Sequence, residues 1–239
     1  RSNRNPLIDA VRIDANEPFR VDAARVLRGN WGSYYQIADI QGISPLFLRS
    51  PQQIIEHGLP DERAWELFAV RYVYSDWDAL TVPGEVLAEG EDISGPVKLH
   101  RLTAERPFAH LLYDYVIADS DDDARAMLAE AAVNPRTTAI LHTQPDIDLP
   151  MTPTERYGTT VTAYTPEYVA IVIDTPDNAV LSLAQVDYPG WYASLYGQAV
   201  PLLRAYGGLS AVAVTAGQHT LELVYNPLTY RVGAVVSLV

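Results

Sequence analysis

The sequence predicts an α+β protein, with a mixed α/β domain over residues 1–150 and an antiparallel β-sandwich of jelly-roll type over 151–239. Three observations lead there. Helical and strand periods alternate as far as His142, and beyond residue 154 the helical period disappears. Between them, 144–154 sets Pro145, Pro150 and Pro153 among polar residues, as a linker does. A chain of 239 residues can bury two modest cores, and 15 Tyr with 17 Pro tilt the composition toward strands and turns.

Taken in order, the apolar island Leu7, Ile8, Val11 and Ile13 predicts a lead-in strand within residues 1–18. Phe19, Val21 and Ala23 alternate with Arg20 and Asp22, the period of a half-buried strand. Residues 30–35 form a Gly- and aromatic-rich loop. Ser50, Pro51 and Gln53 make a capping box with proline at the first helical position, and Gly58 follows, so 51–57 is a short helix. Asp61 opens a second helix, with Ala64, Trp65 and Phe68 on one face, which feeds a strand at 70–74. Strands follow at 84–89, 96–102 and 108–118, punctuated by Gly and Pro.

Ser120 then caps a helix whose Ala124, Met127, Leu128 and Ala131 fall at i, i+3, i+4 and i+7. Asn134 and Pro135 stop it, and 137–142 returns as a strand. After the linker, strands are predicted at 157–164, 167–173, 179–186, 191–196, 199–204, 209–215, 219–225 and 230–238. Short strands joined by tight turns at this spacing are the pattern of a sandwich. The apolar run 232–239 reads as a last strand, or as the start of a membrane helix.

A formal charge of −13 disfavours nucleic acid and anionic membrane surfaces as partners, because the mean field repels both. Of 17 basic residues only Lys98 is lysine, a bias to which we attach no chemistry. With no cysteine there are no disulfides, thiolate nucleophiles or cysteine-based zinc sites. No segment joins a basic flank to an apolar h-region, and no apolar run reaches the roughly 18 residues needed to span a bilayer.

Catalytic and metal motifs are missing: none of G-x-S-x-G, H-E-x-x-H, G-x-G-x-x-G or a Walker pattern occurs, and no cofactor is implied. His57, His100, His110, His142 and His219 have no metal-ligand spacing. Asp119, Asp121, Asp123 and Glu130 fit positions 1, 3, 5 and 12 of a calcium loop, but Ala124 stands where the loop needs Gly. The same acids begin a helix, where carboxylates complement the positive dipole end, and we read them as a cap. Asp76 with Asp78 and Asp146 with Asp148 have the Asp-x-Asp spacing of metal-dependent sugar transferases, yet no phosphate-binding segment accompanies them.

Aromatic residues carry the one coherent binding hypothesis, since sugars stack their C–H faces on Trp and Tyr. Trp31, Tyr34 and Tyr35 fall in a predicted loop, where binding sites concentrate. Tyr188, Trp191, Tyr192 and Tyr206 form a second group, in which Trp191 shares a strand face with Ala193 and Leu195 and reads as a core anchor. Arg20, Arg71 and Arg204 each lie in an apolar strand and need a carboxylate or carbonyl partner; anchoring an anionic ligand is the alternative.

Several blocks of residues share one further property. Phe19, Arg20, Val21, Asn30 and then Gln41, Gly42, Ile43, Ser44, Pro45, Leu46, Arg49 form the first, and Ala69, Val70, Arg71, Tyr72, Val73 the second. Val97 to Arg101, Ala118 to Leu128 and Asn134 to Leu141 form the third. Asp187, Tyr188, Pro189, Gly190, Trp191, Tyr192 and, later, Thr215, Ala216, Gly217, Gln218, His219 close the series. In order and spacing they resemble the extracytoplasmic domain of YfhO-type bacterial membrane proteins, whose last blocks read YPGW and aGxHxV. The departures are Ala69 where that pattern has Asn, Tyr196 where it has Asp before Gly197, and Arg106-Pro107-Phe108 where it has Pro-Arg-Ala.

Such proteins are polytopic and similar to glycosyltransferases that use lipid-linked sugars on the outer face of the cell membrane. The resemblance implies that this chain is a non-catalytic extracytoplasmic region, with a cell-envelope glycan as partner and the membrane reached through flanking helices. No catalytic residue of the family maps onto it. A self-standing carbohydrate-binding or adhesion module and a purely structural domain are the competing readings.

Overall fold

The island at Leu7 and Val11 is a turn of helix rather than a lead-in strand in the computed structural model, which describes residues 6–11, 17–23, 26, 31–41, 49–56, 59–92, 95–130, 132–153 and 158–227. Pro6, with its fixed φ, opens helix α1 (Pro6–Asp9), and its carbonyl accepts from Ala10 N at 3.1 Å. That turn drops Leu7 onto Gly90, where an added Cβ would lie 3.1 Å from the Leu7 side chain. Two compact units emerge, Arg1–Asp14 with Pro18–Phe108, and Ala15–Glu17 with Ala109–Val239.

The first unit is built on a four-stranded sheet. Strand β1 (Arg20–Asp22) runs parallel to β2 (Val70–Ser75), so the chain must cross over between them, and it does so through helices α2 (Trp31–Tyr35), α3 (Arg49–Glu56) and α4 (Asp61–Leu67). An antiparallel hairpin, β3 (Gly84–Asp92) and β4 (Gly95–Leu102), completes the order β1-β2-β4-β3, with β3 at the edge and a register shift between Val86 and Ala88. Val21, Tyr72, Tyr74, Val97 and Leu99 share a core with Leu7 and Val11. The buried Tyr74 hydroxyl donates to Leu7 O at 2.8 Å, and burial pushes that phenol well above its usual range.

The predicted loop 30–35 contains helix α2, closed by Gln36 at φ 58° while Ile37 N reaches back to Gly32 O at 2.8 Å, which is the Schellman arrangement. Helix α4 ends likewise at Ala69, φ 53°, whose N–H points to Glu66 O at 3.4 Å. A left-handed residue there turns the chain directly into β2.

The second unit has two sheets. The six-stranded sheet runs β5 (Ala109–Leu112), β10 (Ala179–Val186), β14 (Leu209–Val214), β13 (Leu203–Ala205), β7 (Ala139–Leu141), β6 (Tyr115–Ile117). All pairs are antiparallel except β6 with β7, whose crossover is helix α5 (Asp121–Ala129). The five-stranded sheet runs β12 (Gln198–Val200), β11 (Trp191–Leu195), β15 (Gly217–Tyr225), β9 (Tyr168–Thr175), β8 (Thr159–Tyr164). Along β15 burial alternates, with Leu221 and Leu223 inside and Val224 out.

The predicted strand 108–118 breaks at Tyr113 and Asp114 into β5 and β6, which lie at opposite edges of one sheet. Pro201, lacking an N–H, splits 199–204 into β12 and β13, in different sheets. The compact units divide at Phe108 and Ala109 rather than near residue 150, because β5 and β7 pair with β10 and β13 from beyond the linker. The predicted last strand at 230–238 lies outside the described residues.

Ala69→Gly is expected to stabilise the first unit by about 1 kcal/mol, since glycine relieves the left-handed penalty of a residue with a Cβ. An unchanged or lowered denaturation midpoint would show that the buried methyl group of Ala69 outweighs that penalty.

Candidate functional site

Among the described residues, the densest polar constellation gathers around Arg204 of β13. Ser120 caps α5 through its hydroxyl, which accepts from Asp123 N at 3.1 Å, while Asp123 Oδ2 accepts from Asp119 N at 3.0 Å. This cap aims Asp121, the first residue of the helix, at the sheet. Arg204 donates from Nε and Nη2 to the two Asp121 carboxylate oxygens at 2.9 and 2.7 Å, a bidentate pair. Its Nη1 donates to Asp187 Oδ2 at 2.6 Å, and Nη2 also reaches Gly207 O at 3.0 Å.

The turn after β13 makes this approach possible. Tyr206 and Gly207 both have positive φ, 52° and 74°, and Gly208 N bonds to Ala205 O at 3.0 Å. A Cβ on Gly207 would lie 3.1 Å from Asp121 O. On the neighbouring strand, His142 N bonds to Arg204 O at 3.1 Å, and His142 Nε2 lies 3.5 Å from Asp121 Oδ1, beyond hydrogen-bond reach.

Charge in this cluster follows from its contacts. The Arg204 hydrogen bonds hold the Asp121 carboxyl below its usual range, and Asp121 raises the guanidinium further above its own. Burial dominates at His142 and lowers its pKa despite the attraction of Asp121, so the imidazole is neutral at pH 7. Two carboxylates and one guanidinium leave a net negative site. Such a site repels anions and ties helix α5, the loop after β10 and strand β13 together.

The other predicted arginines also find partners within the chain. Arg20 Nη1 donates to Phe68 O at 3.0 Å, a cation at the C-terminal end of α4. Beside it Trp65 Nε1 donates to Asp22 Oδ2 at 2.7 Å, so β1 and α4 are fastened twice. Arg71 Nε donates to Glu105 Oε1 at 2.6 Å, with its guanidinium 4.8 Å from the centre of the Phe19 ring. Of the six predicted ligand-binding residues, Arg204 belongs to the second unit and Arg20, Arg71, Trp31, Tyr34 and Tyr35 to the first.

Tyr34 and Tyr35 lie on α2 with their rings 4.8 Å apart at 85°, and Tyr34 is 80% exposed. The Trp31 side chain is outside the described residues. Trp191 is half-buried and packs at 5.3 Å on Tyr225, while Tyr206 is wholly buried with its hydroxyl on Thr138 O. The Asp-x-Asp acids Asp76, Asp78, Asp146 and Asp148 are all exposed, and Asp78 pairs with Lys98 at the surface. His100, His110 and His219 each contact a backbone carbonyl, of Trp77, Arg136 and Thr215. Among the described residues no three His, Asp or Glu side chains gather as metal ligands would, and no helix is long and apolar enough to cross a membrane.

The chain matches no protein-family model, and no curated protein or solved structure matches it. What the sequence reading missed is the company Arg204 keeps. Asp121 is a cap acid by its local pattern, Asp187 borders a Pro-Gly kink, and His142 ends a strand. Only the separation of 83 residues between Arg204 and Asp121, closed by folding, makes them a unit.

Gly207→Ala and Gly197→Ala form a controlled pair, since both glycines have φ 74° but only Gly207 is crowded, by Asp121. Both lose about 1 kcal/mol for the left-handed backbone, and Gly207→Ala is expected to lose clearly more in denaturant titration. Equal losses would remove the close approach of α5 from the account.

Stability should also fall with acid in a way His142 controls. Its folded pKa lies below 6.5, so the unfolded chain takes up the proton first; the contribution is complete above 6.5 and lost as pH falls toward the folded value. Asp121 adds its own loss only further down, in the carboxylate range. His142→Gln is expected to flatten the slope of thermal midpoint between pH 7 and 5, leaving the share of His100, which burial also lowers. A slope identical to the parent chain would contradict this.

Proposed function

We infer that this chain is the extracytoplasmic region of a polytopic membrane protein of the YfhO type, an accessory region that positions an acceptor glycan or a partner for transfer catalysed elsewhere in a longer protein. One backbone observation carries the reading. The glycines of the two closing blocks, Gly190 and Gly217, have φ 111° and 123°. Ala69 and Tyr196, the two positions where the resemblance expects Asn and Asp, have φ 53° and 49°.

Asn and Asp are the residues with a side chain that best tolerate that region, and Gly enters it freely. Residues of the resembled pattern thus fall where this backbone needs them, even where the chain itself has substituted another. Tyr196 with Gly197 makes a two-residue β11–β12 turn of the kind that favours Asp-Gly. The Gly190 position is also crowded, since a Cβ would lie 2.9 Å from the Tyr225 ring.

Within the same reading, the second unit is a β-sandwich of jelly-roll type. Its chain passes from one sheet to the other between β9 and β10, β10 and β11, β12 and β13, and β14 and β15, which supports that arrangement. The glycan contact belongs to Tyr34 and Tyr35, whose exposed rings offer an aromatic surface to the C–H face of a sugar.

An array of bacterial envelope polysaccharides probed with the purified chain tests this reading, together with the genomic reading frame around it. Expected are membrane helices encoded in the same frame and glycan binding that weakens about tenfold when Tyr34 and Tyr35 are both replaced by Ala, roughly the 1.4 kcal/mol of one lost stacking contact. A frame that encodes only a short soluble protein would refute it.

A further inference from the structure

The outward face of the five-stranded sheet carries a row of side chains in register across three strands. Tyr192 of β11 stands opposite Val224 of β15, and Val224 stands opposite Tyr168 of β9. Two strand spacings separate the tyrosines, about 10 Å. Tyr192 is 54% exposed and Val224 is open to solvent. In the next row Glu222 accepts a hydrogen bond from the Tyr168 hydroxyl at 2.6 Å, which holds that ring across the sheet. Beyond it lie Thr220 and Val172, both exposed, opposite one another.

We propose that this face binds a linear β-1,4-linked oligosaccharide of neutral sugars, with alternate rings over Tyr192 and Tyr168, the ring between them over Val224, and their hydroxyls on Glu222 and Thr220. The match is chemical. Such sugars are flat, with C–H groups on their faces and hydroxyls at the rim, so they need aromatic surface interleaved with fixed acceptors. The two tyrosines, about 10 Å apart with Val224 between them, stand one two-residue repeat of such a chain apart.

Charge selects among occupants. The described residues of this outward face include the acids Glu222 and Asp174 and no Lys or Arg, which disfavours an anionic polymer. A second copy of the chain seated face to face would oppose those acids with themselves, so self-association is disfavoured too. The site is a property of the sheet and stands or falls apart from the membrane-protein reading.

The test is a titration of the isotope-labelled chain with cellotetraose and with the N-acetylglucosamine tetramer, followed by NMR and calorimetry. Saturable shifts at Tyr168, Tyr192 and Val224 are expected for at least one of them, with no response to a hexuronic-acid tetramer. Tyr192→Ala should weaken binding at least tenfold with an unchanged thermal midpoint. Tyr168→Phe, which keeps the ring and loses the hydroxyl, should weaken it less. Absence of saturable shifts with both neutral tetramers would overturn the proposal, as would equal binding of the acidic one or dimerisation through this face. Binding that Tyr192→Ala leaves intact but the paired Tyr34 and Tyr35 replacements abolish would overturn this site and spare the function proposed above.

Discussion

The second unit depends on one guanidinium. Arg204 donates to both oxygens of Asp121 at the start of a helix and to one of Asp187 just past the end of a long strand. Without it, two carboxylates would face each other across the same small space, and the helix that links parallel β6 to β7 would keep only the packing of Ala124 and Leu128. The cluster is partly exposed, so solvent screening limits its worth to a few kcal/mol at most. Its importance is geometric. The close approach of α5 requires a bare backbone at Gly207, and the left-handed pair Tyr206 and Gly207 turns that backbone toward the helix.

A comparable logic, with different chemistry, runs through the first unit. Arg20 and Asp22 stand on either side of Val21 in a three-residue strand, and each engages helix α4, one through a terminal carbonyl and one through the Trp65 indole. Val21 is completely buried between them. Val21 also bonds through its N–H and its carbonyl to Ala38 and Ile40 on the side away from β2, and the two side-chain contacts add to these in fixing where so short a strand lies.

How much of this was written in the sequence depends on the range of the interaction. Strand β10 spans 179–186 as predicted, because a continuous apolar run between turn signals is a local feature. Helix α5 begins where Ser120 says it should, since a cap acts over three residues. The helices at Leu7 and Tyr34 were not legible, being too short for a period to appear. Nor was the division at Ala109, which rests on pairing of β5 with β10 and β7 with β13 across the proline-rich linker. For the candidate site, the need of Arg20, Arg71 and Arg204 for partners could be read from their apolar settings, but not which carboxylate or carbonyl would answer it. Local pattern carries no record of a contact made 34 or 83 residues away.

Strand β3 is long and lies at the edge of its sheet, a position that leaves backbone groups available to another chain. Its side chains include Glu85, Glu89, Glu91 and Asp92 beside the exposed Val86 and Leu87, and its ladder is interrupted between Val86 and Ala88. Two copies meeting along this edge would bring rows of like charge together over an uneven backbone. Part of the acidity of the chain thus acts as a guard against fibrillar assembly, one that acid conditions or high salt would weaken.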